Sequence, residues 1–169
     1  MYIVKANVND AKELAHVHVD SWRETYEGIM PKEVLDKKSY EKREGLWRKI
    51  LQEQQSHVYV AKTVDGKIIG FADGGKERTG SYEYEGELYA IYILKEYQRN
   101  HLGKKLLKAV AADLYKNDYQ SMLVWVVANN PSKYFYEALQ GSFIDEKVIE
   151  ELHVKEIAYG WKDIKILLI

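Results

Sequence analysis

Apolar and polar positions alternate over residues 2–6, as in a short strand, and the spacing then becomes helical. Leu14, Val17, Trp22 and Tyr26 recur at roughly helical intervals, with Asn9 or Asp10 placed to cap that helix and Gly28 and Pro31 to end it. Residues 32–37 read as a short helix, and Ser39 caps a further one carrying Leu46, Trp47, Ile50 and Leu51 on one side. The middle of the chain favours strands. SHVYVAKTV and KIIGFADGG flank the turn Asp65-Gly66 and predict a β-hairpin, and the tetrad at 83–86 turns into the β-prone run ELYAIYIL.

Leu102, Leu106, Leu107, Val110 and Leu114 then form a helical stripe, so a helix opens near residue 102. MLVWVVA at 122–128 is the continuous apolar run of a buried strand, Asn130-Pro131 starts another helix, and residues 143–169 alternate like two strands. The order is β-α-α-β-β-β-α-β-α-β-β. Pairing the 122–128 run parallel to the strand before the 102–117 helix, with the hairpin antiparallel beside it, gives an α/β (α+β) fold. One domain over 1–169 is expected, with a mixed, mostly antiparallel central sheet and helices on both faces.

Composition narrows the chemistry. Lysine and arginine number 25 against 26 acidic residues, so nothing in the charge favours nucleic acid. Cysteine is absent, which removes disulfides, thiolate metal sites and cysteine nucleophiles. No apolar stretch is long enough to cross a bilayer, and the opening MYIVKANVNDAKEL lacks the form of a secretion signal, so the expected location is cytoplasmic. His16 and His18 stand two apart on a helix without a third ligand; a surface pair, not a metal site, is expected.

The chemistry concentrates where the strand at 87–94 meets the helix at 102. A short loop leading into a helix offers free N–H groups and the positive end of the helix dipole, a setting for phosphate oxygens; Arg99, His101, Lys104 and Lys105 add positive charge. Gln98-x-x-His101-x-Gly103 resembles the Gln/Arg-x-x-Gly-x-Gly/Ala signature of the GNAT superfamily of N-acetyltransferases, which cradles the coenzyme A pyrophosphate. Ile91-Tyr92-Ile93 is similar to the family's preceding strand, the segment Asn130 to Glu137 to its Asn-x-Ala/Ser-x-x-Phe-Tyr-Glu helix, and YGWKDI to the last strand of many members. Two departures stand out: His101 where the family usually has its first glycine, and Gln140 before Gly141 where relatives turn directly through glycine.

The resemblance implies an acetyl-CoA-dependent N-acetyltransferase in which a primary amine attacks the thioester directly, through a tetrahedral intermediate. It implies a strand that bulges and splays from its parallel neighbour. Ile91, Tyr92, Ile93, Gln98, Arg99, Asn100, His101, Leu102, Gly103, Lys104 and Asn130 would bind the coenzyme, with the Ile91 amide nearest the thioester carbonyl. Glu87 corresponds to a catalytic glutamate, with a solvated strand-end acid as its alternative. Tyr136 corresponds to a general acid toward the sulfur, its alternative being an aromatic packed on the sheet. Trp22, Glu24, Tyr26 and Tyr89 are the candidates for the amine pocket, although Trp22 and Tyr26 also suit a helix core. The partner is a small-molecule or peptide amine, with no metal, nucleic acid or membrane. A homodimer through the C-terminal strands is common in the family, and the apolar tail IKILLI hints at one. The competing class is a non-catalytic acyl-CoA-binding module.

Overall fold

Seven strands form one sheet in the computed structural model, which describes residues 1–169 throughout. They are β1 (Tyr2–Lys5), β2 (His57–Lys62), β3 (Ile68–Lys76), β4 (Gly86–Ile93), β5 (Met122–Val127), β6 (Ser142–Ile149) and β7 (Val154–Trp161), in the spatial order β1-β2-β3-β4-β5-β7-β6. Every neighbouring pair is antiparallel except β4–β5, which is parallel. Gly66, with φ +90°, makes the β2–β3 turn that the Asp-Gly pair predicted.

Helices cover both faces. On one side α1 (Ala11–Tyr26) and α3 (Tyr40–Glu53) bury Leu14, Val17 and Trp47 against Val58, Val60, Ile68 and Phe71. On the other, α4 (Leu102–Lys116) buries Leu106, Leu107, Val110 and Leu114 against Ile69, Ala72 and Leu88, joined by Tyr136 of α5 (Lys133–Ala138). β3 lies between these layers and is buried along nearly its whole length. The short helix read at 32–37 is α2 (Lys32–Asp36), so three helices, not two, separate β1 from β2. No helix is long and apolar enough to cross a membrane.

The structure corrects four local readings. The N-terminal cap belongs to Asn7, whose side chain accepts the Asn9 N–H while Asp10 accepts the Asn7 N–H; a 3-10 turn precedes α1 and moves the cap upstream. Asn130 and Pro131 form turns ahead of α5, and the Asn130 carbonyl oxygen of the amide side chain accepts the Ser132 N–H. His18 is buried: it continues the Leu14–Trp22 stripe one turn at a time and accepts a hydrogen bond from the Trp47 indole at 3.1 Å. The tail beyond β7 is a 3-10 segment (Ile164–Leu168) that buries Ile164 and Leu167 with the α4 side of the core and leaves Ile166 and Ile169 exposed.

Candidate active site

The site begins with the way β4 leaves β5. Their parallel pairing runs only through Gly86–Met122, Glu87–Leu123 and Leu88–Val124. At that point β4 carries an extra residue: Leu88 opposes Gly74 and Ala90 opposes Asp73, leaving Tyr89 unpaired in a bulge. Glycines make this possible. A β-carbon at Gly74 would lie 2.9 Å from the Glu87 carbonyl oxygen, and one at Gly75 would lie 2.7 Å from the Tyr89 hydroxyl. Leu88 before the bulge and Ile91 and Ile93 past it face the α4 layer, whereas Ala90 and Tyr92 face the α1 layer.

The bulge also sets the backbone. The Leu94 N–H donates to the Ile69 carbonyl at 3.0 Å, so by the alternation of an antiparallel ladder Tyr92 and Ala90 bond to β3. The N–H groups of Ile91 and Ile93 therefore turn toward the gap where β5 has withdrawn. The Ile93 carbonyl accepts from the Gln98 side chain at 3.1 Å.

At the open end, Arg99 and His101 both adopt left-handed backbone, with φ +63° and +58°. This explains why a glycine suits position 101 and how histidine serves: histidine is among the residues that tolerate this region. Asn100 folds back to donate to the Tyr97 and Gln98 carbonyls. The first loop-to-helix bond is from the Lys105 N–H to the His101 carbonyl, so six consecutive amides, Arg99 to Lys104, have no acceptor in the protein. Gly103 keeps this corner open: a β-carbon there would reach ordinary contact with Phe135 at 3.5 Å and would narrow the space between them.

The gap forms a cleft of about 640 Å³. It is lined by Ile91, Tyr92, Ile93, Gln98, Arg99, His101, Leu102, Gly103, Lys104 and Asn130 of the coenzyme set, and by Tyr26, Tyr89 and Tyr136 of the reacting and acceptor sets. Tyr136 is buried beside Phe135 and Trp161, its hydroxyl forms no hydrogen bond within the protein, and burial holds the phenol well above its ordinary pKa. The Tyr26 and Tyr92 hydroxyls share a hydrogen bond of 2.9 Å; burial raises the pKa of both. Gln140 takes the left-handed position after α5, with φ +63°. Gly141 follows because a β-carbon there would lie 2.9 Å from the Tyr136 carbonyl.

Four of the residues singled out from sequence stand outside the lining. Asn100 braces the loop. Trp22 packs in the core with Tyr26, beneath the Lys38 ammonium. Glu24 lies on another side of α1 and accepts the Lys95 N–H. Glu87 is 2% exposed and accepts three hydrogen bonds from Arg78, two from the guanidinium and one from the backbone N–H. Such a clamp engages both carboxylate oxygens within the protein. The Arg78 guanidinium also lies 4.4 Å over Tyr89, whose phenol burial pushes up to about 12.

Sequence reasoning missed Trp125, Thr25 and Phe135 as cleft residues. Trp125 sits within an apolar run that reads as buried strand, and only the withdrawal of β5 from β4 opens its ring to the cleft. No group of three or more His, Cys, Asp or Glu side chains is placed to hold a metal ion.

The chain is similar to known proteins in sequence and fold. Residues 17–141 match the model of the acetyltransferase (GNAT) family. An uncharacterized N-acetyltransferase, YuaI, of Bacillus subtilis is 39% identical over 96% of this chain and 94% of its own length. A spermidine N(1)-acetyltransferase of Thermoplasma acidophilum is 28% identical over 62% of this chain and 65% of its own. The crystal structure of the PaiA N-acetyltransferase of Thermoplasma acidophilum in complex with coenzyme A shares the fold, with a TM-score of 0.72 and 22% identity over 95% of this chain and 98% of that one. The splayed strands, the open amide loop and these matches together make the chain an acyltransferase that belongs to the acetyltransferase (GNAT) family.

Proposed function

We propose that the chain transfers the acetyl group of acetyl-coenzyme A to a primary amine by direct attack. The observation that carries this reading is the run of six free amides from Arg99 to Lys104 at the mouth of the β4–β5 cleft. Convergent N–H groups at a helix N-terminus suit a diphosphate, and the exposed Arg99, Lys104 and Lys105 side chains supply charge around it. The unpaired edge of Ile91 and Ile93 suits an amide-bearing arm that bonds like an added strand. Asn130, at the far side of the cleft, is placed to meet the same arm. The coenzyme A complex of a protein with this fold supports the same reading.

Each residue then has a task. The Ile91 N–H, fixed by the ladder to β3, donates to the thioester oxygen as negative charge grows there. The Tyr136 phenol stays protonated at neutral pH and donates to the departing sulfur. Tyr26, Tyr89 and Tyr92 wall the acceptor end, where their ring faces and hydroxyls suit an ammonium and the proton it must lose. Glu87 holds Arg78 in place, and the Arg78 guanidinium in turn braces the Tyr89 ring. The relative that acetylates spermidine supports an amine as the acceptor.

The test is calorimetric titration with coenzyme A and, in parallel, NAD, followed by an amine panel with detection of released thiol. Saturable heat with coenzyme A alone, and thiol release with at least one amine, is the expected result. Equal binding of both nucleotides, or neither, would overturn the reading.

A further inference from the structure

The face of the sheet that carries Tyr89 and Tyr92 continues across β5, β7 and β6, and three side chains meet there. In register, Val127 pairs with Glu156 and Glu156 with Lys147, while Trp125 pairs with Ala158 and Ala158 with Asp145. Ala158 projects only a methyl group, so the Lys147 chain crosses β7 diagonally toward Trp125. Its ammonium rests 4.0 Å from the centre of the indole and 3.8 Å from the Glu156 carboxylate. Tyr82 meets the indole edge-on at 5.7 Å and is tied by its hydroxyl to Asp145, which fixes the ring.

A ring face with a carboxylate beside it is an arrangement that holds an alkylammonium. Here the protein places an ammonium of its own on it. The members are not equally fixed: the Glu156 side chain is 22% exposed and the Lys147 side chain 42%, so the lysine is the one free to leave. The pair also belongs to the acceptor end of the cleft. Trp125 lines it, and Glu156, outside the lining, stands cross-strand from Val127, which packs in one cluster with Tyr26. Arg78, the nearby cation from the β3–β4 connection, is already committed to Glu87.

We propose that Trp125 and Glu156 form a subsite for a second, non-reacting ammonium of the acceptor, and that Lys147 is its built-in occupant, displaced when an acceptor enters. The acceptors are then diamines or longer polycations. This rests on the amine-transferase reading above, and its test separates the two.

Two acceptors of equal length are compared, 1,5-diaminopentane and n-hexylamine, in the wild type, Lys147→Met and Glu156→Gln. Turnover is followed by thiol release, and diamine binding to the coenzyme-A-saturated protein by calorimetry. The wild type prefers the diamine in kcat/KM by about tenfold. Lys147→Met, a surface change that leaves the core intact, raises that preference about threefold by lowering KM for the diamine. Glu156→Gln abolishes it. Turnover with no diamine preference in the wild type overturns the subsite and leaves the transferase reading standing. So does a higher diamine KM in Lys147→Met. Diamine binding that is strengthened in Lys147→Met and lost in Glu156→Gln, without thiol release from either amine, upholds the subsite and overturns the transferase reading. Absence of diamine binding in every variant overturns the subsite.

Discussion

The two ends of β4 obey different rules. From Gly86 to Leu88 the strand is paired on both sides, and Leu88 is 1% exposed in the main core. From Tyr89 to Ile93 it keeps β3 but has lost β5, and its side chains are only half-buried. One end is built for cohesion, the other offers backbone to something else. The lesson is that an interior strand can carry an edge over part of its length without the hazard of a true edge, because the cleft is narrow and walled by α4 and α5.

The comparison breaks or sharpens at particular residues. The largest effect is expected at the paired end: Leu88→Ala removes a fully buried side chain and costs about 2–5 kcal/mol in denaturant unfolding. Ile91→Ala costs about 1 kcal/mol because that side chain is already half-exposed, and it leaves the backbone N–H in place. Equal losses at the two positions would erase the distinction. Next comes the open end's chemistry. Tyr136→Phe lowers kcat about 100-fold, with coenzyme A affinity unchanged within a factor of two, as read by thiol release and calorimetry. Unchanged kcat at saturating substrates removes the hydroxyl from the reaction.

The third prediction concerns acid, and the two groups behind it flank the acceptor face of β4. His18, stacked on Tyr92 and tilted against Phe71, has its pKa lowered to about 3 by burial, with Arg43 and Lys38 adding to the effect. The unfolded chain protonates this histidine below about 6.5 and the folded one does not, so its contribution to stability is lost as pH falls from there. Asp73, cross-strand from Ala90, is pushed up to about 6 by burial, so between about 6 and 3.8 the folded chain binds the extra proton and stability rises as pH falls. The two oppose each other in that window. Asp73→Asn removes the opposition, and between pH 6 and pH 4 its urea-unfolding stability should fall by about 2 kcal/mol more than that of the wild type. Parallel slopes in the two proteins would remove Asp73 as the compensating group.

Much of the fold was legible because it depends on local signals. Asp65-Gly66 announced the hairpin, the Leu102–Leu114 stripe announced α4, and Ser39 capped α3 by accepting the Lys42 N–H. The amide loop was legible too, since its residues are consecutive. What escaped depends on contacts between distant segments. The stripe of α1 does not reveal that Tyr26 reaches the cleft while Trp22, one turn earlier, stays in the core. Glu87 reads as a strand-end acid until Arg78, nine residues before it, closes over both oxygens. Trp125, Lys147 and Glu156 occupy three separate strands, and no spacing along the chain foretells that one ammonium will join them.

The unpaired Tyr89 has a further consequence. By adding one residue it inverts the phase of the strand, so Glu87 and Tyr92, an odd number of positions apart, point to the same side of the sheet. Deleting that single residue would restore plain alternation with Tyr92 still on the amine side, and would let β5 zip against β4. The sheet would gain hydrogen bonds and the molecule would lose its vacancy for substrates, which makes this position one where a shortened chain folds well and does nothing.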